Sequence, residues 1–451
     1  MNTAELLPPN PHRAAYIRVL QAALDAVDPR ACVLAHLERV DGRIRVGRRV
    51  IDLDAVDRVF VIAFGKAAAP MTQAVEDVLG DRIEAGIAIV KEGHTAATRR
   101  VRVVEAAHPV PDERGVRAAN DAVHLAQQAR ENDLVIVLIS GGGSALLTLP
   151  AADLTLDDIQ QTTDLLLRAG ATINELNAVR KHLSAVKGGQ LARHIAPAQA
   201  LGLVLSDVVG NPLDVIASGP LTPDPTTYRD AWAVVEKYAL IDALPPRVRE
   251  HLQRGLRGEL PETPKPGAPV FERVHVVIVG DNARAASAAA RAAQGEGYNV
   301  LILSTFVEGE AREVARVVAA LGKEIARYNR PLPRPACLIL GGETTVTVRG
   351  QGKGGRNQEL ALAAALALDG WRGITVASLG TDGTDGPTDA AGGMVDGGTV
   401  TRARTAGLDP LAHLQNNDAY PLLRATHDLI ITGPTRTNAN DLIVVFVEQL
   451  G

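Results

Sequence analysis

Two cysteines, Cys32 and Cys337, are all that the 451 residues contain. That is too few for a disulfide framework or a cysteine-rich zinc site. Aromatic residues make up only 3%, which argues against the base-stacking surfaces of single-stranded nucleic-acid binders. Neither sign of charge is in large excess: 47 Lys and Arg against 52 Asp and Glu leave −5. A chain of this size has no global attraction for nucleic acid on that balance, although a local basic site for a small anion stays open. No apolar run approaches the roughly 18 residues of a membrane span. The start, MNTAELLPPNPHRAAYIRVL, shows no basic stretch followed by an apolar one, so no secretory leader is expected. A reduced, cytoplasmic setting fits these absences. The histidines are scattered, with no H-E-x-x-H and no Cys/His cluster.

What is present is apolar material for more than one core. Hydrophobic residues make up 46% and charged residues 22%, and the length is roughly three times the 150-residue prior for one domain. Short, continuous, β-branched runs recur. In the first half they include RVFVIAF (58–64), AGIAIV (85–90), LVIVLI (134–139) and ALGLVL (200–205). In the second half they include VHVVIV (274–279), 299–303, 336–340, 344–348, 374–379, 428–432 and 442–447. Continuous rather than alternating runs mark strands buried on both faces. Ala-, Leu-, Arg- and Glu-rich stretches lie between them, so the pattern reads as α/β/α layers. The run 344–348 alternates after a Gly-Gly turn, which predicts antiparallel members in the second sheet. Proline crowds the stretch 244–269 (PPR, LPETPKP, GAP) and predicts a break in regular structure. The expected division is therefore residues 1–243, a connector over 244–270, and residues 271–451.

Nearly every buried run ends in glycine plus a charged or hydroxylated residue, where open parallel sheets form their ligand crevice. Ser140-Gly141-Gly142-Gly143-Ser144 offers converging N–H groups and hydroxyls for a phosphate or carboxylate. It is neither a Walker A loop, nor G-x-G-x-x-G, nor G-x-S-x-G. GQGKGGRNQE (350–359) sets Lys353 and Arg356 among glycines ahead of a helix, a ready anion site. The competing reading is a flexible hairpin with solvated charges. Lys66 directly follows an apolar strand and could neutralise a phosphoryl group or serve in an ion pair. Asp207, Asp382, Asp385 and Asp389 place carboxylates at strand ends, suited to Mg²⁺ or to a general base; for Asp382 and Asp385 the competing reading is a plain Asp-Gly turn. A helix is predicted over 174–194, in which Asn177, Arg180, Ser184 and Lys187 form a polar stripe. That stripe either faces solvent or faces substrate. His94 and His108 follow strands and are open to a structural or a site-lining role.

With these motifs assembled, the chain resembles the glycerate 2-kinases once named tartrate-operon hydroxypyruvate reductases, which end in a MOFRL domain. The resemblance rests on FGKAAAPM (64–71), HPVPDERG (108–115), SGGGSALL (140–147), INELNAVRKHLSAVKGGQLA (173–192) and LSDVVGNPLDVIASGPLTPD (205–224). It continues through GGETTVTVRGQGKGGRNQE (341–359), SLGTDGTDGPTDAAGG (378–393) and TGPTRTNANDL (432–442). It implies an α/β fold of two dissimilar three-layer α/β/α domains, the N-terminal one Rossmann-like with a parallel sheet and the C-terminal one with a mixed sheet. The implied activity is ATP- and Mg²⁺-dependent phosphorylation of D-glycerate at its 2-hydroxyl, in a site between the domains. The family's essential lysine and arginine fall on Lys66 and Arg356, expected to contact the transferring phosphate. Ser140–Ser144, Arg180, Lys187, Asn211, Lys353 and Asn357 are the expected phosphate or substrate ligands. Asp207 is the first choice for metal or base, ahead of Asp382 and Asp385. Glycerate and ATP are the expected partners, with no nucleic acid and no membrane; a homodimer is allowed for. Two other readings compete. A nicotinamide-dependent hydroxypyruvate reductase needs a G-x-G-x-x-G turn, which is absent. A non-catalytic sugar-acid phosphate sensor needs the anion donors without the carboxylates.

Overall fold

The computed structural model describes residues 12–449; part of the leader reading, residues 1–11, lies outside the described residues. The chain forms two compact units, one of residues 29–279, the other of residues 280–449 with 12–28.

The first unit opens with a small antiparallel sheet, β1 (Leu37–Val40), β2 (Arg43–Val46) and β3 (Arg49–Asp52). These strands are short, and β2 alternates buried and exposed residues, so they are not among the long apolar runs. The main sheet follows: β4 (Val59–Phe64), β5 (Ile83–Lys91), β6 (Val101–Ala106), β7 (Leu134–Ile139), β8 (Gln199–Leu205) and β9 (Val274–Gly280), in the order β6-β5-β4-β7-β8-β9. The pairings among β4 to β8 are parallel. Every residue of β4 and β7 is buried. Alternate β4 side chains enter opposite layers. Val59, Val61 and Ala63 pack with Met71, Val75 and Leu79; Phe60, Ile62 and Phe64 pack with Ala118, Ala122 and Ile195. Two-sided burial is why these strands carry no polar alternation. The register sets Phe64 opposite Ile139, and Ile139 opposite Val204. The carboxyl ends of β4, β7 and β8 therefore lie side by side.

The second unit contains β10 (Asn299–Glu310), β11 (Ala336–Thr345), β12 (Ile374–Gly380), β13 (Gly392–Asp396), β14 (Leu429–Ile430) and β15 (Asp441–Val447), in the order β10-β11-β15-β12-β13-β14. The sheet is mixed. β10 and β11 are parallel, whereas β15 runs antiparallel to both β11 and β12. The start of β15 thus meets the carboxyl ends of its neighbours, with Asp441 opposite Gly342 and Gly380.

Several expectations are corrected. The stretch 244–270 is not a connector: Pro246 opens the helix Pro246–Leu256, whose Val248 and Leu252 join a core with Leu176 and Tyr228. Proline at the first helical position starts a helix rather than ending one. β9 then flanks β8, so the boundary falls after residue 279. The helix Arg13–Ala26 belongs to the second unit, where Tyr16, Leu20 and Ala23 pack with Ala285, Ala289 and Phe446. No separate strand forms over 344–348. β11 instead continues through Gly341 and Gly342, and a side chain at 342 would come within 2.0 Å of the Val307 carbonyl. The predicted helix 174–194 is two helices, Ile173–His182 and Gln190–Ile195, separated by left-handed Gly188 and Gly189.

Candidate active site

In the first unit the strand-end residues converge. The Lys66 amide donates to the Gly141 carbonyl (2.8 Å), and the buried Ser140 hydroxyl accepts from the Ala67 amide (3.0 Å). The two loops approach so closely that a methyl group on Gly65, which has φ +123°, would lie 2.2 Å from Ser140 Oγ. Glycine at 65 is thus required by space as well as by dihedral angle. Gly142 is also left-handed (φ +81°); a Cβ there would stand 3.0 Å from the His108 ring and 3.5 Å from Lys66 Cγ. Lys66, His108 and the triple glycine therefore share one corner. Burial, reinforced by the neighbouring Lys66 charge, lowers the His108 pKa to about 4. Its imidazole is neutral near pH 7 and leaves the positive charge of this corner to lysine.

The polar stripe of residues 177–187 is not a solvated face. Asn177, Ser184 and Lys187 are all buried. Lys187 Nζ donates to the carbonyls of Ser144 (2.6 Å) and Leu147 (3.1 Å). Burial, and then the charge of Arg180, hold its pKa down to about 7. Ser144 Oγ meets Ser218 Oγ at 3.0 Å, and Ser218 Oγ donates to Asn177 Oδ1 at 3.0 Å. Asn177 Nδ2 is buried without an acceptor among the described residues. Ser218 belongs to a left-handed run, Ala217 (φ +50°), Ser218 (φ +61°) and Gly219 (φ +63°). Two non-glycine residues in that region cost energy, and Gly188 and Gly189 amides bonded to the Ser218 and Gly219 carbonyls hold them there. Sequence reasoning missed Ser218, whose only signal was its place in the ASGP turn. Asp207 and Asn211 are half-buried in the loop after β8, beside the Ser140 loop in the sheet order.

The second unit places its candidates differently from expectation. Arg356 grips Asp441 bidentately (Nε to Oδ2 2.6 Å, Nη2 to Oδ1 3.0 Å) and donates from Nη1 to Glu343 Oε1 at 2.7 Å. Burial pushes the Asp441 pKa up to about 6 against the pull of Arg356. Asp441 was not singled out from sequence, because only the antiparallel course of β15 brings it to this edge.

The helix Arg356–Ala367 does follow the glycine-rich loop, but its N-terminus already holds an anion. Asp385 accepts from the Asn357 amide (3.1 Å), the Gln358 amide (2.9 Å) and both of their side chains. Burial raises the Asp385 pKa while these donors hold it down. With its oxygens committed to capping, Asp385 is poorly placed to ligate a metal. Asn357 is buried, accepting from Ser378 Oγ at 2.6 Å, and so serves the helix start rather than a ligand. Lys353 is exposed, with Nζ 4.6 Å from the centre of the Tyr420 ring. Asp382 remains at the edge: its Oδ1 and that of Asp441 would lie 3.4 and 3.5 Å from a Cβ on Gly380. Asp389 accepts from the Tyr420 hydroxyl.

Among the described residues no group of three or more His, Cys, Asp or Glu side chains is placed to hold a metal. A carboxylate such as Asp207 or Asp382 still fits Mg²⁺ bound chiefly through substrate phosphates, since that ion keeps few protein ligands.

A family model described as a domain of unknown function (DUF4147) matches residues 15–253, and the MOFRL family model matches residues 336–441. A glycerate 2-kinase from Pyrococcus horikoshii is 44% identical over 432 residues, covering 96% of each chain. A D-glycerate 2-kinase from Thermotoga maritima is 44% identical over 429 residues, covering 95% of this chain and 96% of that one. The crystal structure of a Thermotoga maritima glycerate kinase superposes with a TM-score of 0.87 at 42% identity, covering 97% of this chain and all of that one. With near-complete coverage on both sides, the chain belongs to the glycerate kinase family with a DUF4147 domain and a MOFRL domain.

Proposed function

We propose that the protein transfers the γ-phosphoryl group of ATP to the 2-hydroxyl of D-glycerate, giving 2-phosphoglycerate and ADP. The observation that carries this reading is the corner of Lys66, His108 and the Ser140–Ser144 loop, in a chain 44% identical to two named glycerate 2-kinases. Phosphoryl transfer asks little covalent chemistry of a protein; it asks for positioning and for cations against developing charge. Lys66 supplies such a cation beside the triple glycine, whose close approach to a phosphate no side chain obstructs. Arg356 is the second cation, held rigid by Asp441 and Glu343. Asp207 takes the proton from the 2-hydroxyl as its oxygen bonds to phosphorus and ADP departs. With Asp207 as the base, Asp382 is the carboxylate offered to Mg²⁺, which would supply charge neutralisation to the polyphosphate.

The test follows ADP release with D-glycerate and identifies the product by ³¹P NMR. Expected are ATP-dependent turnover and the 2-phosphate ester. Formation of the 3-phosphate ester would refute the regiochemistry. NADH oxidation with hydroxypyruvate, in the absence of ADP release, would return the reductase reading.

A further inference from the structure

Beside the glycine loop the first unit contains a pocket of about 570 Å³ that runs from Pro109 and Ser144 to the helix Leu156–Arg168. Its walls are largely apolar, including Val110, Leu149, Ile159, Leu167, Leu176 and Leu183. One end is cationic: Arg180 and Lys187 line it together with Ser144 and Ser184. Among the described residues no carboxylate pairs with Arg180, and Lys187 donates only to backbone carbonyls. Asp157 and Asp164 also line the pocket, but both are exposed and already engaged, with Gln161 and Arg168. Two desolvated cations without a counter-ion are costly unless an anion arrives to pair with them. Asn177, linked through Ser218 to the pocket residue Ser144, has a buried Nδ2 with no acceptor among the described residues.

Glycerate is small and wholly polar. It would leave most of such a volume empty and would gain nothing from leucine walls. A ligand that is apolar at one end and multiply anionic at the other matches both halves. The cationic end also lies on the way to the catalytic corner. Lys187 bonds the Ser144 carbonyl, and His108, next in sequence to the pocket residue Pro109, packs against Gly142 beside Lys66.

We infer that this pocket is the nucleoside subsite of the phosphoryl donor, with the base and ribose among the leucines and the α- and β-phosphates on Arg180, Lys187 and Ser144. The inference rests on the kinase reading. It assigns the donor pocket without the aromatic stacking that the 3% aromatic content makes scarce.

The experiment titrates ATP and, separately, D-glycerate into the full chain by calorimetry. The proteins are wild type, Val110→Trp, Leu167→Trp and Arg180→Gln. Val110 and Leu167 are about 60% exposed, so a tryptophan there fills the mouth without disturbing a core. Expected is at least an about tenfold loss of ATP affinity in all three variants with glycerate affinity within twofold. Steady-state kinetics would show the same split, with KM for ATP raised. Weakened glycerate binding with ATP unchanged would assign the pocket to the acceptor and overturn the inference. Equal weakening of both ligands, or none, would overturn it too. Failure of the kinase reading is separate: it would appear as wild-type protein that binds ATP without phosphorylating glycerate.

Discussion

Lys187 offers the sharpest check on the electrostatics of the first unit. Its ammonium is buried and faces Arg180, and its pKa is held near 7 rather than 10.5. At pH 8 the free protein then carries the proton on only about one molecule in ten. An anion docked on Lys187 and Arg180 removes the reason for that depression, and the bound state is fully protonated. Ligand binding at pH 8 should therefore take up about 0.9 proton, falling to about 0.5 at pH 7. The assay is calorimetric titration of ATP in two buffers of different ionisation enthalpy, in which the slope of apparent enthalpy counts protons. Lys187→Met should abolish the uptake as well as weaken binding. No uptake in wild type, or the same uptake in Lys187→Met, would refute the reasoning. The same shift has a sign for stability. The folded pKa lies below the unfolded one, so the unfolded chain binds the extra proton between pH 7 and 10.5. The free protein gains stability as pH rises through that window, and Lys187→Met flattens the rise.

Lys66→Ala should lower kcat by about a hundred- to a thousandfold, the scale of losing one transition-state donor, while calorimetric ATP binding changes little; near-normal turnover would break the assignment. Gly142→Ala should be destabilised by about 1–2 kcal/mol for its left-handed backbone and should also lose activity by displacing His108. Gly170→Ala, equally left-handed (φ +78°) but open to solvent, should lose a similar amount of stability and keep its activity. Arg356→Met leaves Asp441 buried without its partner and should cost about 3–5 kcal/mol in denaturant unfolding. Adding Asp441→Asn should restore most of that stability but not turnover, which separates the structural role of the arginine from its catalytic one.

Much of the architecture was legible because two-sided burial writes itself as continuous apolar runs. RVFVIAF and LVIVLI could hardly be anything but central strands. The residues that follow them, Lys66 and Ser140–Ser144, inherit their place from the parallel register. Short, largely exposed strands such as β1 to β3 escaped, since four residues carry too little periodicity. The proline-rich stretch misled because Pro246 sits where a helix begins.

The sequence by itself determined the long buried strands, the layered class and the family, since all three depend on local pattern and on long motifs. Only the tertiary structure decided which charges meet. Arg356, read as an anion receptor, is held in place by Asp441 because β15 runs antiparallel and starts at the edge where its neighbours end. Asp385, read as a metal ligand, is spent on a helix N-terminus that lies beside it only after folding. Lys187, on a stripe open to either reading, is buried and short of a counter-ion because the chain turns at Gly188 and Gly189. Pairing of charges depends on distances through space, and those are settled by packing between segments far apart in the chain.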